Sequence, residues 1–274
     1  MPLGFARSTF VHKAAAAAAA PDQGFFQSSG TTSDGSNGAG IVFSASGNYD
    51  FETNEVIVVS VWFKGTSSDF PSGGVGALAK YAPLSGGEGF QIRIRTNGFE
   101  MLAQDTQHGT ENRVYQPASF STNYLDDNWH HVVMKMSKIT TDAQLFLDGS
   151  SVTLSGSTGT VSNTFAADDK VYHNSNPTTD NPSGYYDAHS TTLEYAQLFI
   201  STEDIDLSTD IAKFYNSGYV DMGTDGTDSG LNQPIIFLHQ NTGTFPTNGG
   251  SDGTAAVVSE GSGGYTTSSS GGPS

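Results

Sequence analysis

Glu55-Val56-Ile57-Val58-Val59-Ser60-Val61-Trp62-Phe63-Lys64 decides the fold. The run is β-branched and aromatic, and it is apolar at successive positions. In a strand, neighbouring side chains point to opposite faces, so both faces here are apolar, as in a strand held between two packed layers. Working outward, Gln91-Ile92-Arg93-Ile94-Arg95 alternates, with Ile92 and Ile94 on one face and Arg93 and Arg95 on the other. The turn pair Asn97-Gly98 then leads into Phe99-Glu100-Met101-Leu102-Ala103, which reads as a hairpin. Further strands are expected from Trp129 to Met136, from Ala143 to Leu147 ahead of the turn Asp148-Gly149, and from Leu193 to Ile200. Short strands, glycine turns and little helix predict an all-β antiparallel sandwich or jelly roll, not βαβ units. One helix of about ten residues is expected, capped by Ser208 and stopped by Gly218. Ile211, Phe214 and Tyr215 would share its apolar face, and Leu207 would staple onto Ala212.

Composition narrows the function. The chain has 274 residues, 11 Lys and Arg against 28 Asp and Glu, a formal charge of −17, 33 glycines and no cysteine. A chain so acidic is repelled by phosphate backbones and by anionic lipid, so nucleic-acid and membrane partners are excluded. Without cysteine there are no disulfides, thiolate metal sites or thiol nucleophiles. No stretch reaches the roughly 18–20 apolar residues of a membrane span.

The two ends differ from the middle. Residues 1–40 read as an N-terminal arm. Within it, Ala14 to Ala20 form a short helix stopped by Pro21, since a secretory leader would carry Leu, Val or Phe. Arg7 and Lys13 make the arm locally basic. Residues 41–221 carry the strands, and 222–274 form a C-terminal extension. That extension holds a strand at Pro234 to His239, a weaker one at Ala255 to Ser259 and a disordered Gly/Ser/Thr tail.

Several words of the middle segment resemble the laminin-G-like, concanavalin-A-like jelly roll. They are Val59-Ser60-Val61-Trp62-Phe63-Lys64, Ala77-Leu78-Ala79-Lys80-Tyr81, Gly89-Phe90-Gln91-Ile92-Arg93, Asn128-Trp129-His130-His131-Val132-Val133-Met134, Gln144-Leu145-Phe146-Leu147-Asp148-Gly149 and Leu193 to Ile200. The stretch Pro234 to Ser259, with Phe245-Pro246-Thr247-Asn248-Gly249, resembles the segment that trails this domain in tailed-phage structural proteins. So does the opening Met1-Pro2-Leu3-Gly4-Phe5. The resemblance implies a non-enzymatic virion protein (capsid decoration, tail or fibre) in a homo-oligomer or larger assembly. Its neighbours would be other virion proteins, met through residues 1–40 and 222–274. The alternative is a carbohydrate-binding module of an adhesin or fibre, extracellular and facing a cell-surface glycan.

Catalytic chemistry finds little support. Jelly-roll glucanases carry paired acids on one strand, as Glu-x-Asp-x-x-Glu, and no such run occurs. Glu203-Asp204-Ile205-Asp206 has the wrong spacing and reads as acids complementing a helix N-terminus, which leaves a glycosidase or lyase as a remote alternative. His130 and His131 fall on opposite faces of one strand and so cannot share a metal; structural hydrogen bonding suits them better. Laminin-G-like domains often hold calcium at the rim, and Asp168, Asp169, Asp180, Asp187 and the pair Asp126-Asp127 offer loop carboxylates, although none forms an Asp-x-Asp-x-Asp-Gly loop. A loop from Val171 to Tyr186 sets Tyr172, Tyr185 and Tyr186 beside Asn174 and Asn181. Rings beside amides suit stacking on a sugar or contact with a protein partner.

Overall fold

A computed structural model describes residues 24–28, 39–46, 49, 56–71, 74–81, 89–105, 109–137, 143–155, 170–174, 191–239, 245–259 and 264–274. The strands are β1 (Phe25–Ser28), β2 (Ala39–Ser44), β3 (Val56–Lys64), β4 (Val75–Tyr81), β5 (Gly89–Arg95), β6 (Gly98–Asp105) and β7 (Gly109–Tyr115). They continue with β8 (His130–Ser137), β9 (Gln144–Leu147), β10 (Ser150–Ser151), β11 (Lys170–His173), β12 (Glu194–Ser201), β13 (Ile236–Leu238), β14 (Thr254–Ser259) and β15 (Tyr265–Ser268). Among the described residues there are two short α-helices, α1 (Phe120–Asn123) and α2 (Leu207–Asp210).

Two antiparallel sheets face each other as a concanavalin-A-like jelly roll. One runs β10-β9-β8-β3-β12-β1-β15, with β13 beside the far half of β12; the other runs β14-β2-β11-β4-β5-β6-β7. Ile57, Val59, Val61 and Phe63 of β3 point between the sheets and are fully buried with Ile92, Ile94, Val132, Met134, Leu198 and Ile200. Each such side chain contributes about 1.5–3 kcal/mol by leaving water. The other face of β3 is covered as well. Val56 and Val58 pack with Val133, Phe199, Phe214, Met222, Leu231 and Phe237, so the chain from Ile205 to Leu231 lies over the outer face of the first sheet. The apolar character of both faces of β3 thus has its cause in two separate cores.

The β5–β6 hairpin forms one residue earlier than the Asn97-Gly98 signal suggests, since Arg95 pairs with Gly98 and the loop is Thr96-Asn97. Ile92 and Ile94 are buried and Arg93 and Arg95 half-exposed, as alternation requires.

The expected ten-residue helix is shorter and starts elsewhere. Asp206, not Ser208, is its cap: a carboxylate oxygen accepts from Ser208 N–H at 3.0 Å. Ser208 instead turns its own hydroxyl to the same oxygen, a charge-assisted bond that outcompetes its role as cap. After Asp210 the chain tightens to a 3₁₀ turn over Ile211–Lys213. Leu207 is buried in the outer core while Ala212 is exposed, so no staple forms between them. Ser217 takes the left-handed conformation at φ 58° ahead of Gly218.

The division at residues 40 and 221 does not coincide with a break in the sheets. β1 pairs with β12 and β15, and β14 pairs along the whole of β2. Compositional bias pointed to disorder at the C-terminal end, but Tyr265 anchors it: its ring lies 5.8 Å from Phe245 and 6.4 Å from Phe26. Asn248 is the other fastener. Its Oδ1 accepts from Phe237 N–H at 2.8 Å and Gly250 N–H at 2.9 Å, and its Nδ2 donates to the carbonyl of Asp252. The expected alanine helix, Ala14 to Ala20, lies outside the described residues. No helix among the described residues is long and apolar enough to cross a membrane.

Candidate functional site

The outer face of β3 changes character along its length. Where Val58 gives way to Ser60 and Trp62, the covering chain changes from Phe214 to Tyr215 and Tyr219, and an apolar seam becomes an aromatic and polar one. Trp62 lies 5.0 Å from the ring of His131, 5.7 Å from Tyr215 in a near-parallel stack and 5.9 Å from Tyr219. At this end a pocket of about 450 Å³ opens, lined by Trp62, Asn128, Trp129, His130, Asp148, Tyr215, Ser217, Gly218 and Ser274.

Its walls are fixed by hydrogen bonds. The hairpin turn between β9 and β10 places Asp148 (φ 46°) and Gly149 (φ 72°) in left-handed conformations, as an Asp-Gly turn of two residues requires. Asp148 Oδ1 accepts from the backbone N–H of His131 at 2.8 Å, and its Oδ2 meets His130 Nδ1 at 2.7 Å. His130 Nε2 meets Asp126 Oδ1 at 3.1 Å, and Asp126 also accepts from the side chain of Asn128 at 2.9 Å. Burial opposes a charge on His130, but Asp148 and then Asp126 outweigh it and hold its pKa above the ordinary value. Burial and Asp148 raise the Tyr215 hydroxyl. Trp129 is half-buried, and its indole N–H donates to the carbonyl of Gly271 at 2.9 Å. Gln197 holds Tyr219 from behind. It sits at a bulge of β12 with φ 53°, and its amide donates to Tyr219 Oη at 2.9 Å and to the carbonyl of Val220 at 3.0 Å.

Among the described residues, one buried polar atom of this lining has no protein partner. Trp62 is only 3% exposed, and its Nε1–H makes no hydrogen bond. A buried donor left unpaired costs about 1–3 kcal/mol, and the residue that carries it is also one of those lining the pocket.

The two histidines behave as expected of opposite faces. His130 leans against Tyr124 and Phe63 on the inner side, while His131 faces outward, with Nε2 2.8 Å from Ser60 Oγ. Burial drives the His131 pKa down to about 3, so it is neutral.

The residues expected to meet a glycan fare differently. Tyr172 and Asn174 are not on an exposed loop. β11 is an inner strand of the second sheet, Tyr172 is 1% exposed, and Asn174 is fully buried, its Nδ2 donating to the Thr191 carbonyl at 2.9 Å and its Oδ1 accepting from the Thr191 N–H at 2.8 Å. Alternation over only four residues had too little length to reveal that strand. Asn181, Tyr185 and Tyr186 lie outside the described residues, as do the calcium candidates Asp168, Asp169, Asp180 and Asp187. Among the described residues no three His, Asp or Glu side chains are arranged to hold a metal. Asp126 is committed to His130 and Asn128. Of the Glu203–Asp206 acids, Glu203 accepts from Asn232 at 2.8 Å, Asp204 pairs with Lys135 and Asp206 caps α2. These are structural roles, and no facing acid pair forms there.

No family model matches the chain, and no curated protein matches it. Among solved structures it is similar to a native heptameric SAP-like pentraxin from Limulus polyphemus, with 12% identity, a TM-score of 0.50 and coverage of 89% of this chain and 99% of that one. It is also similar to a botulinum neurotoxin type C structure described by its interaction with two ganglioside molecules, with 12% identity and a TM-score of 0.49; the match covers 71% of this chain but spans only 42% of that chain's length. Domains LG4-5 of the mouse laminin alpha1 chain match with 14% identity, a TM-score of 0.44 and coverage of 73% and 48%. The architecture is that of the concanavalin-A-like jelly roll, two antiparallel sheets with little helix.

Proposed function

We propose that this chain is a non-enzymatic binding domain that holds a glycan in the pocket beside Trp62. One observation carries the reading: indole and phenol rings from Trp62, Trp129 and Tyr215 converge with Asn128 on a cavity of about 450 Å³, and the Trp62 N–H there is unpaired. Sugars present apolar C–H faces that stack on rings and hydroxyls that need donors and acceptors at fixed places. No acid pair suited to glycoside hydrolysis accompanies the pocket, since both oxygens of Asp148 are already bonded within the protein. The test is a glycan array followed by tryptophan-fluorescence titration of any hit. Trp62→Phe, which keeps a ring and removes the donor, weakens binding by roughly three- to tenfold. An array without hits at high protein concentration removes the reading.

The setting is a tailed-phage virion, as decoration, tail or fibre component, on the resemblance carried by residues 234–259. Ile236–Leu238 and Thr254–Ser259 are strands of the sandwich, so docking to other virion proteins is assigned first to the N-terminal arm. Its first twenty-one residues contain Arg7 and Lys13 and no acid, which suits an acidic partner surface or a second copy of this acidic body. Calcium at the 168–187 acids remains a separate proposal, and no step of binding is routed through it.

A further inference from the structure

We propose that the pocket beside Trp62 takes a neutral saccharide and rejects sugars bearing a carboxylate or sulfate, an inference that rests on the glycan reading above. Recognition of an anion needs an unengaged Arg, Lys or set of backbone N–H groups facing it. Among the described residues no Arg or Lys lines this pocket. The lysines on the elements that build it are each held by an acid. Lys64 of β3 pairs with Glu194 at 3.2 Å, Lys135 of β8 pairs with Asp204, and Lys213 beside α2 pairs with Asp210 at 3.0 Å. Recruiting one would break a pair and leave a carboxylate behind.

Among the described lining residues His130 alone has a side chain that can carry a positive charge, and it has nothing left to give. Its two ring nitrogens face Asp148 and Asp126 at 2.7 and 3.1 Å, so even the imidazolium has both N–H groups spoken for, between two carboxylates. Asp148 itself sits in the wall and would face an incoming anion as a like charge.

What remains for a ligand is a mixed set. The hydroxyl of Tyr215 can donate or accept, and Asn128, which gives one amide N–H to Asp126, keeps its carbonyl oxygen and a second N–H. A sugar hydroxyl both donates and accepts, so it satisfies either kind of group; a carboxylate only accepts and would leave the Asn128 oxygen opposed. The net charge of −17 adds long-range repulsion of the same sign.

The measurement is a fluorescence titration of the full chain with matched oligosaccharides that differ only by a terminal sialic or glucuronic acid, at about 0.15 M salt so that long-range steering is screened. The neutral member of each pair binds about tenfold tighter or more. Asp148→Asn, which keeps an acceptor for the His131 N–H while removing the charge, narrows that ratio. Equal or tighter binding of the acidic member overturns the inference and leaves the glycan reading standing. A folded protein that responds to no member of any pair removes both.

Discussion

The rings of Trp62 and His131 lie 5.0 Å apart, tilted by 48°, and both are buried, yet burial sets the two residues different conditions. Trp62 keeps an unpaired donor, while His131 must stay uncharged. A second histidine, His173, is under the same constraint on the inner side, between the sheets: it is fully buried, its Nδ1 lies 2.8 Å from the carbonyl of Leu78, and burial lowers its pKa to about 4. In the unfolded chain both would titrate near the ordinary histidine value of about 6.5. Below that value the unfolded state binds protons that the folded state refuses, so stability is complete above about pH 6.5 and falls as the pH drops toward the folded values. Each histidine contributes a loss of about 1.4 kcal/mol per pH unit in that interval. Thermal melts from pH 7 to pH 4.5 should therefore show a falling midpoint; a flat profile would contradict the neutral burial of both rings. His130 acts with the opposite sign. Its raised pKa means that its ion pairs stabilise most below the ordinary value and fade as the pH rises through the folded one.

At the scale of elements, the β9–β10 turn couples stability to the pocket. A Cβ on Gly149 would lie 2.6 Å from Tyr215 Cδ1, at a φ of 72° that L residues resist. Gly149→Ala should cost about 1–3 kcal/mol and displace the Tyr215 ring. Because that ring stacks on Trp62, the tryptophan emission should shift as well, and an unchanged spectrum with unchanged stability would count against this packing. The elements also divide by legibility. β3, β8, β9 and β12 are long or apolar enough to be read from the sequence, and Asp148-Gly149 fixes its own turn. β1, β11 and β15 are four residues each. They become strands because neighbours offer them unpaired edges, and nothing within Phe25-Phe26-Gln27-Ser28 or Tyr265-Thr266-Thr267-Ser268 requires it.

For the molecule as a whole, the two ends have different standing. Deleting residues 1–21 should leave the melting temperature within a degree or two of the full chain and, in a virion, abolish incorporation; particles carrying the truncated protein at full copy number would refute the docking role. Deleting 260–274 should instead destabilise the sandwich by several kcal/mol, because β1 loses its β15 partner and the core loses Tyr265. It should also blunt the pocket, where Trp129 loses the Gly271 carbonyl and Ser274 leaves the wall. Circular dichroism melts and the same glycan titration separate the two outcomes.

The sequence by itself determined the antiparallel sandwich, the two-sided burial of Val56–Phe63, the opposite faces of His130 and His131, and the absence of a paired-acid motif. Those are properties of alternation and spacing over a few residues, and they survive in any register. The pocket was beyond its reach. Trp62, Asn128, Trp129, Asp148 and Tyr215 come from four separate parts of the chain, and no local rule joins them. Only sheet pairing, Trp62 opposite His131 and the 205–231 segment folded over the outer face brings them within reach of one ligand. The same pairing buried Tyr172 and Asn174, whose composition alone resembled a sugar site. Local chemistry chose the strands, and long-range burial chose which of their side chains meet the solvent.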